Sequence, residues 1–150
     1  MGLVTARALL VGSLRLSASG PVDVDRAWER YERYALWPAW SPQLRRVETD
    51  RDRLTTGATG RVVGPAGVSA EFTVSEVDVA GRRWTWSVRR GPVSITLEHG
   101  VEAGPGGAGS TTWLVLYGPR PLVLGYAPLA WYALHRLVTL DAARAGDRPA

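Results

Sequence analysis

The 150 residues carry 18 basic and 14 acidic side chains, seven Trp and no Cys, for a net charge of +4. Every basic residue is Arg, and Asn is absent as well as Lys. These absences exclude disulfides, thiolate metal sites, Cys nucleophiles, Schiff-base and P-loop lysines, and N-glycosylation.

Hydrophobic content of 45% and charged content of 21% are ordinary for a globular chain. The length suits one domain, spanning residues 1–150, with a sizeable core. The Arg pairs Arg45-Arg46, Arg82-Arg83 and Arg89-Arg90 fall near strand ends. They read as a solvated rim rather than a nucleic-acid groove. The apolar run Ala8 to Gly12 is cut by Arg15 and has no convincing cleavage site, which makes a poor signal peptide and points to a cytoplasmic protein. Leu122 to Leu140 is interrupted by His135 and Arg136, which argues against a spanning helix.

In chain order, Leu9 to Ser19 alternates as a first strand, and Gly20-Pro21 ends it. Asp23 can cap a short helix in which Val24, Ala27, Trp28, Tyr31 and Tyr34 share one face. Leu36 to Pro42 holds two Trp and two Pro, a packed turn or one-turn helix. Strands follow over Leu44 to Thr49 and Ala58 to Gly64. From Val68 onward, Phe72 and Val74 alternate with polar residues, and Val77 and Val79 continue the apolar face out of phase. That shift predicts a bulge near Ser75-Glu76. Trp84, Trp86 and Val88 alternate in the next strand, and Val93, Ile95, Leu97, His99 and Val101 in the one after. Gly104 to Gly109 fits G-x-G-x-x-G but lies between two strands and opens no helix, so it is a hairpin loop. Thr111 to Tyr117 is apolar on both faces, so its sides cannot be assigned. A last helix is expected from Pro128 to Ala145, with Leu129, Ala130, Ala133, Leu134, Leu137, Val138 and Leu140 on one broad arc. The pattern is α+β: a seven-stranded antiparallel meander covered on one side by that helix.

Several stretches carry a resemblance. They are Pro21 to Trp28, Trp37-Pro38-Ala39-Trp40-Ser41-Pro42, Glu98-His99-Gly100-Val101-Glu102, Gly109-Ser110-Thr111 and Gly118-Pro119. With the element order they make the chain, over about Leu9 to Arg144, similar to the START/Bet v 1-like (SRPBCC) helix-grip superfamily. Within it, the chain resembles the bacterial polyketide cyclase/dehydrase-like proteins. The resemblance implies a sheet wrapped around the last helix with a ligand cavity between them, and no cofactor. It also implies either cofactor-independent cyclisation or dehydration of a polyketide-like molecule, or non-catalytic carriage or sensing of a lipid-like or polycyclic ligand. A protein-interaction domain using the Arg-rich rims is a third, weaker reading.

His99 stands where its strand pattern asks for an aliphatic residue, which makes it the candidate catalytic acid or base; the alternative is a bonded structural histidine. Phe72, Trp84, Trp86, Trp113 and Tyr117 are candidates to line the cavity for a greasy ligand, or simply to fill the core. Leu97 and Leu134 join them from the strand and the helix. Tyr31 and Trp37 are placed at its mouth, and Arg61 is a candidate anion or carbonyl anchor. Asp141 on the last helix is expected to pair with an Arg, and His135 to be solvated. Two His, no Cys and no clustered carboxylates give no metal-ligand pattern.

Overall fold

Strand β1 (Val11–Gly20) opens the computed structural model, which describes residues 11–140. Leu14, Leu16 and Ala18 point to one face and alternate with Ser13, Arg15 and Ser17. Helix α1 (Val24–Glu32) then starts at Asp23, whose carboxylate accepts the Asp25 N–H at 3.1 Å and so satisfies a donor with no partner inside the helix. Its buried face is Ala27, Trp28 and Tyr31. After a 3-10 turn (Tyr34–Leu36), the single turn α2 (Trp37–Trp40) has Pro38 in its first turn, where a missing N–H costs nothing. Two indoles fasten it: Trp37 Nε1–H donates to the Tyr31 carbonyl at 2.8 Å, and Trp40 Nε1–H to the Arg30 carbonyl at 2.9 Å.

The remaining strands are β2 (Arg46–Thr49), β3 (Thr59–Val63), β4 (Ser69–Asp78), β5 (Arg83–Arg90), β6 (Val93–Ala103) and β7 (Ser110–Pro119). They form one seven-stranded sheet in the order β1-β7-β6-β5-β4-β3-β2, antiparallel throughout. The register of β4 against β5 slips between Val74 and Glu76, which is the expected bulge. The slip carries Val77 back to the core face, but Val79 lies past the strand end and is exposed.

The long helix α3 (Arg120–Thr139) starts eight residues before the expected Pro128. Pro121 takes the first-turn position that favours proline, and Pro128 sits inside the helix. An interior proline withdraws the N–H that would reach the carbonyl four residues earlier. That carbonyl belongs to Leu124, the most exposed of the helix's large apolar residues, where water is at hand. The buried stripe is Val123, Ala130, Ala133, Leu134, Leu137 and Val138, narrower than the expected arc because Leu129 faces out. Residues 141–145, with Asp141, lie outside the described residues, as do Leu9 and Leu10 and most of the N-terminal apolar run.

The C-terminal turn of α3 is docked where β1 meets α1. Val22 N–H donates to the Val138 carbonyl at 3.0 Å. The Arg30 guanidinium donates to the carbonyls of Leu137 and Leu140 at 2.8 and 2.6 Å, a cation on a helix C-terminus. Gly20 permits this approach, since a Cβ there would lie 2.3 Å from the Val138 carbonyl oxygen. The helix therefore packs mainly on β1 and β7, at one side of the sheet, while α1 covers part of β6 and β7. This is the helix-grip arrangement. Among the described residues, no helix is long and apolar enough to cross a membrane.

Candidate functional site

Because α3 is fastened over β1 and β7, the concave face of β3 to β6 is left partly uncovered. The space beneath is a cavity of about 650 Å³. Its floor is Val62, Ala70, Trp86, Val88, Ile95 and Leu97. Trp37 and Trp40 close one end, and Ala130, Ala133 and Leu134 of α3 form the roof. Two alanines facing the sheet from the helix leave room that larger side chains would fill. Val68, Val93 and Leu122 line the cavity and are also exposed, so they mark its mouth.

Polar groups in this wall are few. Arg90 lies at the rim and donates to the Ser69 carbonyl at 2.7 Å. Gln43 Nε2–H donates to the Tyr126 hydroxyl at 2.8 Å. Burial of that phenol pushes its pKa up, and the bond from Gln43 offsets part of the rise.

His99 is the one imidazole in the wall and is buried. Its ring stacks on Trp84, with centroids 4.5 Å apart and planes 9° apart. Trp86 Nε1–H donates to His99 Nε2 at 3.0 Å. An indole nitrogen can only donate, so Nε2 is unprotonated and the proton sits on Nδ1. Nδ1–H faces the Tyr31 hydroxyl across a long 3.4 Å. Thr112 Oγ1–H is used on the Gly100 carbonyl at 2.9 Å, so Tyr31 must be the donor in its 2.5 Å bond to Thr112. The chain of donors runs in one direction, from Trp86 through His99, Tyr31 and Thr112 to the backbone. Burial holds the His99 pKa down at about 3 and raises the Tyr31 phenol far above its ordinary range. Both rings are neutral at physiological pH.

A family model described as "Polyketide cyclase / dehydrase and lipid transport" matches residues 13–144. The chain belongs to this family. No curated protein matches it. The family description points to binding of hydrophobic molecules, and in this member the space between sheet and helix is lined mainly by apolar residues.

Of the candidate residues, this family member gathers Trp37, Trp86, Leu97, His99 and Leu134 around the cavity. Trp37 lies deep in the wall and not at a mouth, because its indole is bonded to the α1 backbone. Tyr31, also expected at the mouth, is fully buried behind His99. Trp84 and Phe72 pack in the aromatic layer around Trp37 and do not line the cavity. Three candidates point away from it. Arg61 pairs in register with Glu71 and projects from the outer face of the sheet, in a groove with Glu71 and Arg89. Trp113 and Tyr117 also lie on the outer face, because Thr112, Leu114 and Leu116 take the inner phase of β7. Trp113 lies across Gly100 there, and the Arg15 guanidinium covers its ring at 4.9 Å. His135 is exposed and stacks on Trp131.

Gln43 and Tyr126 are not legible in the sequence as cavity residues. Gln43 is a single polar residue between Pro42 and Leu44, and Tyr126 falls in what reads as an approach to the helix. No periodic signal marks either.

Proposed function

We propose that this protein binds a hydrophobic small molecule in the cavity under α3 and acts as a carrier or sensor, not as a catalyst. The observation that carries this reading is the composition of the cavity wall: about 650 Å³ of mainly apolar lining, whose one imidazole has both nitrogens engaged within the protein. A drug-sized apolar ligand fits a space of that volume. Catalysis of cyclisation or dehydration needs a group that moves a proton at the reacting carbon or hydroxyl. To take up a proton, His99 would have to surrender the Trp86 bond and become a cation in a site whose burial opposes it. His99 is therefore read as a structural joint that fixes the tryptophan floor.

Native mass spectrometry of freshly purified protein tests this. A retained hydrophobic ligand is expected, and after reconstitution it should be recovered with its mass unchanged. Release of a cyclised product, or of one lighter by a water, would establish the cyclase/dehydratase reading instead. Failure of N-phenyl-1-naphthylamine, a neutral hydrophobic dye, to bind at all would count against any ligand role for the cavity.

A further inference from the structure

We propose that Gln43 and Tyr126 form a head-group subsite and that the ligand carries a neutral hydroxyl, a group that donates and accepts at once. This rests on the proposed ligand-binding role of the cavity. The two residues come from separate elements, the loop after α2 and the first half of α3, and both line the cavity. Gln43 Nε2–H donates to Tyr126 Oη at 2.8 Å, while Gln43 Oε1 is buried and has no partner among the described residues.

Counting donors and acceptors gives the ligand class. The Tyr126 hydroxyl spends a lone pair on Gln43 and keeps its proton to give. Gln43 Oε1 keeps its lone pairs to receive. If the amide oxygen and nitrogen are exchanged, Tyr126 donates to Gln43, and what remains is an amide N–H and the phenol lone pairs. Either way the pair presents one donor beside one acceptor. A ligand hydroxyl satisfies both together. A carboxylate does not, since it only accepts and would crowd the free acceptor. Among the described residues the one guanidinium in the cavity wall, Arg90, is at the rim and bonded to Ser69. The phenol stays protonated because burial raises its pKa. A strap that merely tied the loop to the helix would account for the one bond but not for a buried acceptor left unpaired. Such an acceptor costs free energy until something donates to it.

The test is isothermal titration calorimetry at pH 7 with 2-naphthol, 2-methylnaphthalene and 2-naphthoate. The first two differ only by hydroxyl for methyl. Wild type is expected to bind the naphthol at least about tenfold more tightly than the methyl compound, the scale of one net neutral hydrogen bond. It should bind the naphthoate no more tightly than the methyl compound. In Gln43→Leu and in Tyr126→Phe that preference should fall by at least about fivefold, through weaker naphthol binding. The double variant, which leaves neither partner unpaired, should keep or improve its affinity for 2-methylnaphthalene and lose the preference. Equal affinity for the two neutral compounds in wild type overturns the inference and leaves cavity binding standing. So does a preference unchanged in all the variants, even if their melting temperatures drop, because that is the mark of a purely structural strap. If none of the three compounds binds wild type, the ligand-binding reading itself fails and the subsite falls with it.

Discussion

Trp86 on β5 stands diagonally across from His99 on β6, one pair along from Trp84, and its indole N–H fixes the tautomer of the imidazole across 3.0 Å. His99→Leu would leave that indole N–H, and the Nδ1 side of the Tyr31 hydroxyl, without a partner. A loss of about 1–3 kcal/mol is expected at pH 7.5. Dye binding per folded molecule should be retained. A variant as stable as wild type that no longer binds would place His99 in the ligand site.

The same residue gives the protein an acid sensitivity. The folded-state pKa of His99 is depressed to about 3 from the ordinary 6.5, so between these values the unfolded chain binds more protons than the folded one. Its contribution is complete above pH 6.5 and declines as pH falls toward 3, by up to about 1.4 kcal/mol per pH unit. Urea titrations from pH 7.5 to 4 should show wild type losing stability faster than His99→Leu, so that the gap between them narrows. A gap independent of pH would mean that His99 is not held neutral.

Ala133 faces the sheet across the cavity. Ala133→Phe should fill part of the space and weaken N-phenyl-1-naphthylamine binding by about tenfold or more, equivalent to about 1.4 kcal/mol. Because the ring enters existing room, the melting temperature should hold or rise. Unaltered dye affinity would mean that the dye sits elsewhere, and a sharp drop in stability would mean that the space is not there to fill.

A Cβ on Gly100 would lie 2.3 Å from the Trp113 indole. Gly100→Ala should therefore cost about 1–3 kcal/mol by forcing the ring off its seat. In a Trp113→Ala background, where those indole atoms are gone, the same change should cost far less. Thermal unfolding of the four proteins measures that coupling, and additive costs would refute the contact.

Arg30→Met should free the last carbonyls of α3 and cost about 2 kcal/mol, read by urea unfolding. Arg30→Lys should restore only part of it, because an ammonium lacks the guanidinium fork that reaches Leu137 and Leu140 together. Full restoration by Lys would show that charge alone matters there.

The strands that could be read from sequence are those with one wet face and one dry face. Phe72 and Val74, Trp84 and Trp86, and Leu97 and His99 keep a strict period of two, and even the bulge after Val74 shows as a slip in that period. β7 carries no such contrast, because its outer residues Trp113 and Val115 are as apolar as its inner ones. Which set faces inward follows from its pairing with β6 and from the seat that Gly100 offers the indole, both of them contacts with other strands. Arg61 was misread for a related reason: its alternation with Val62 is visible, but the phase depends on the pairing with Glu71. The helix start was missed because two prolines, Pro121 and Pro128, both suit a first turn locally, and only the docking of the helix chooses between them. The Gln43–Tyr126 pair joins distant positions with no pattern of their own, so it appears only after folding.

The pairing of β1 with β7, from Val11 against Pro119 to Gly20 against Ser110, also bears on how the chain assembles. Of the seven described strands, β1 leaves the ribosome first and has no neighbour in this sheet until β7 is made. Its dry face waits longer still, for α3. The local hairpins from β3 to β6 can form early, but closure of the grip is a late event between strands far apart in sequence, and such long-range pairing is slow. During synthesis β1 is an unpaired strand with an apolar face, the feature that most invites wrong partners. A chain cut before β7 would strand β1 and also bare the edge of β6, so truncation from the C-terminus is expected to cost solubility well before it reaches the cavity floor.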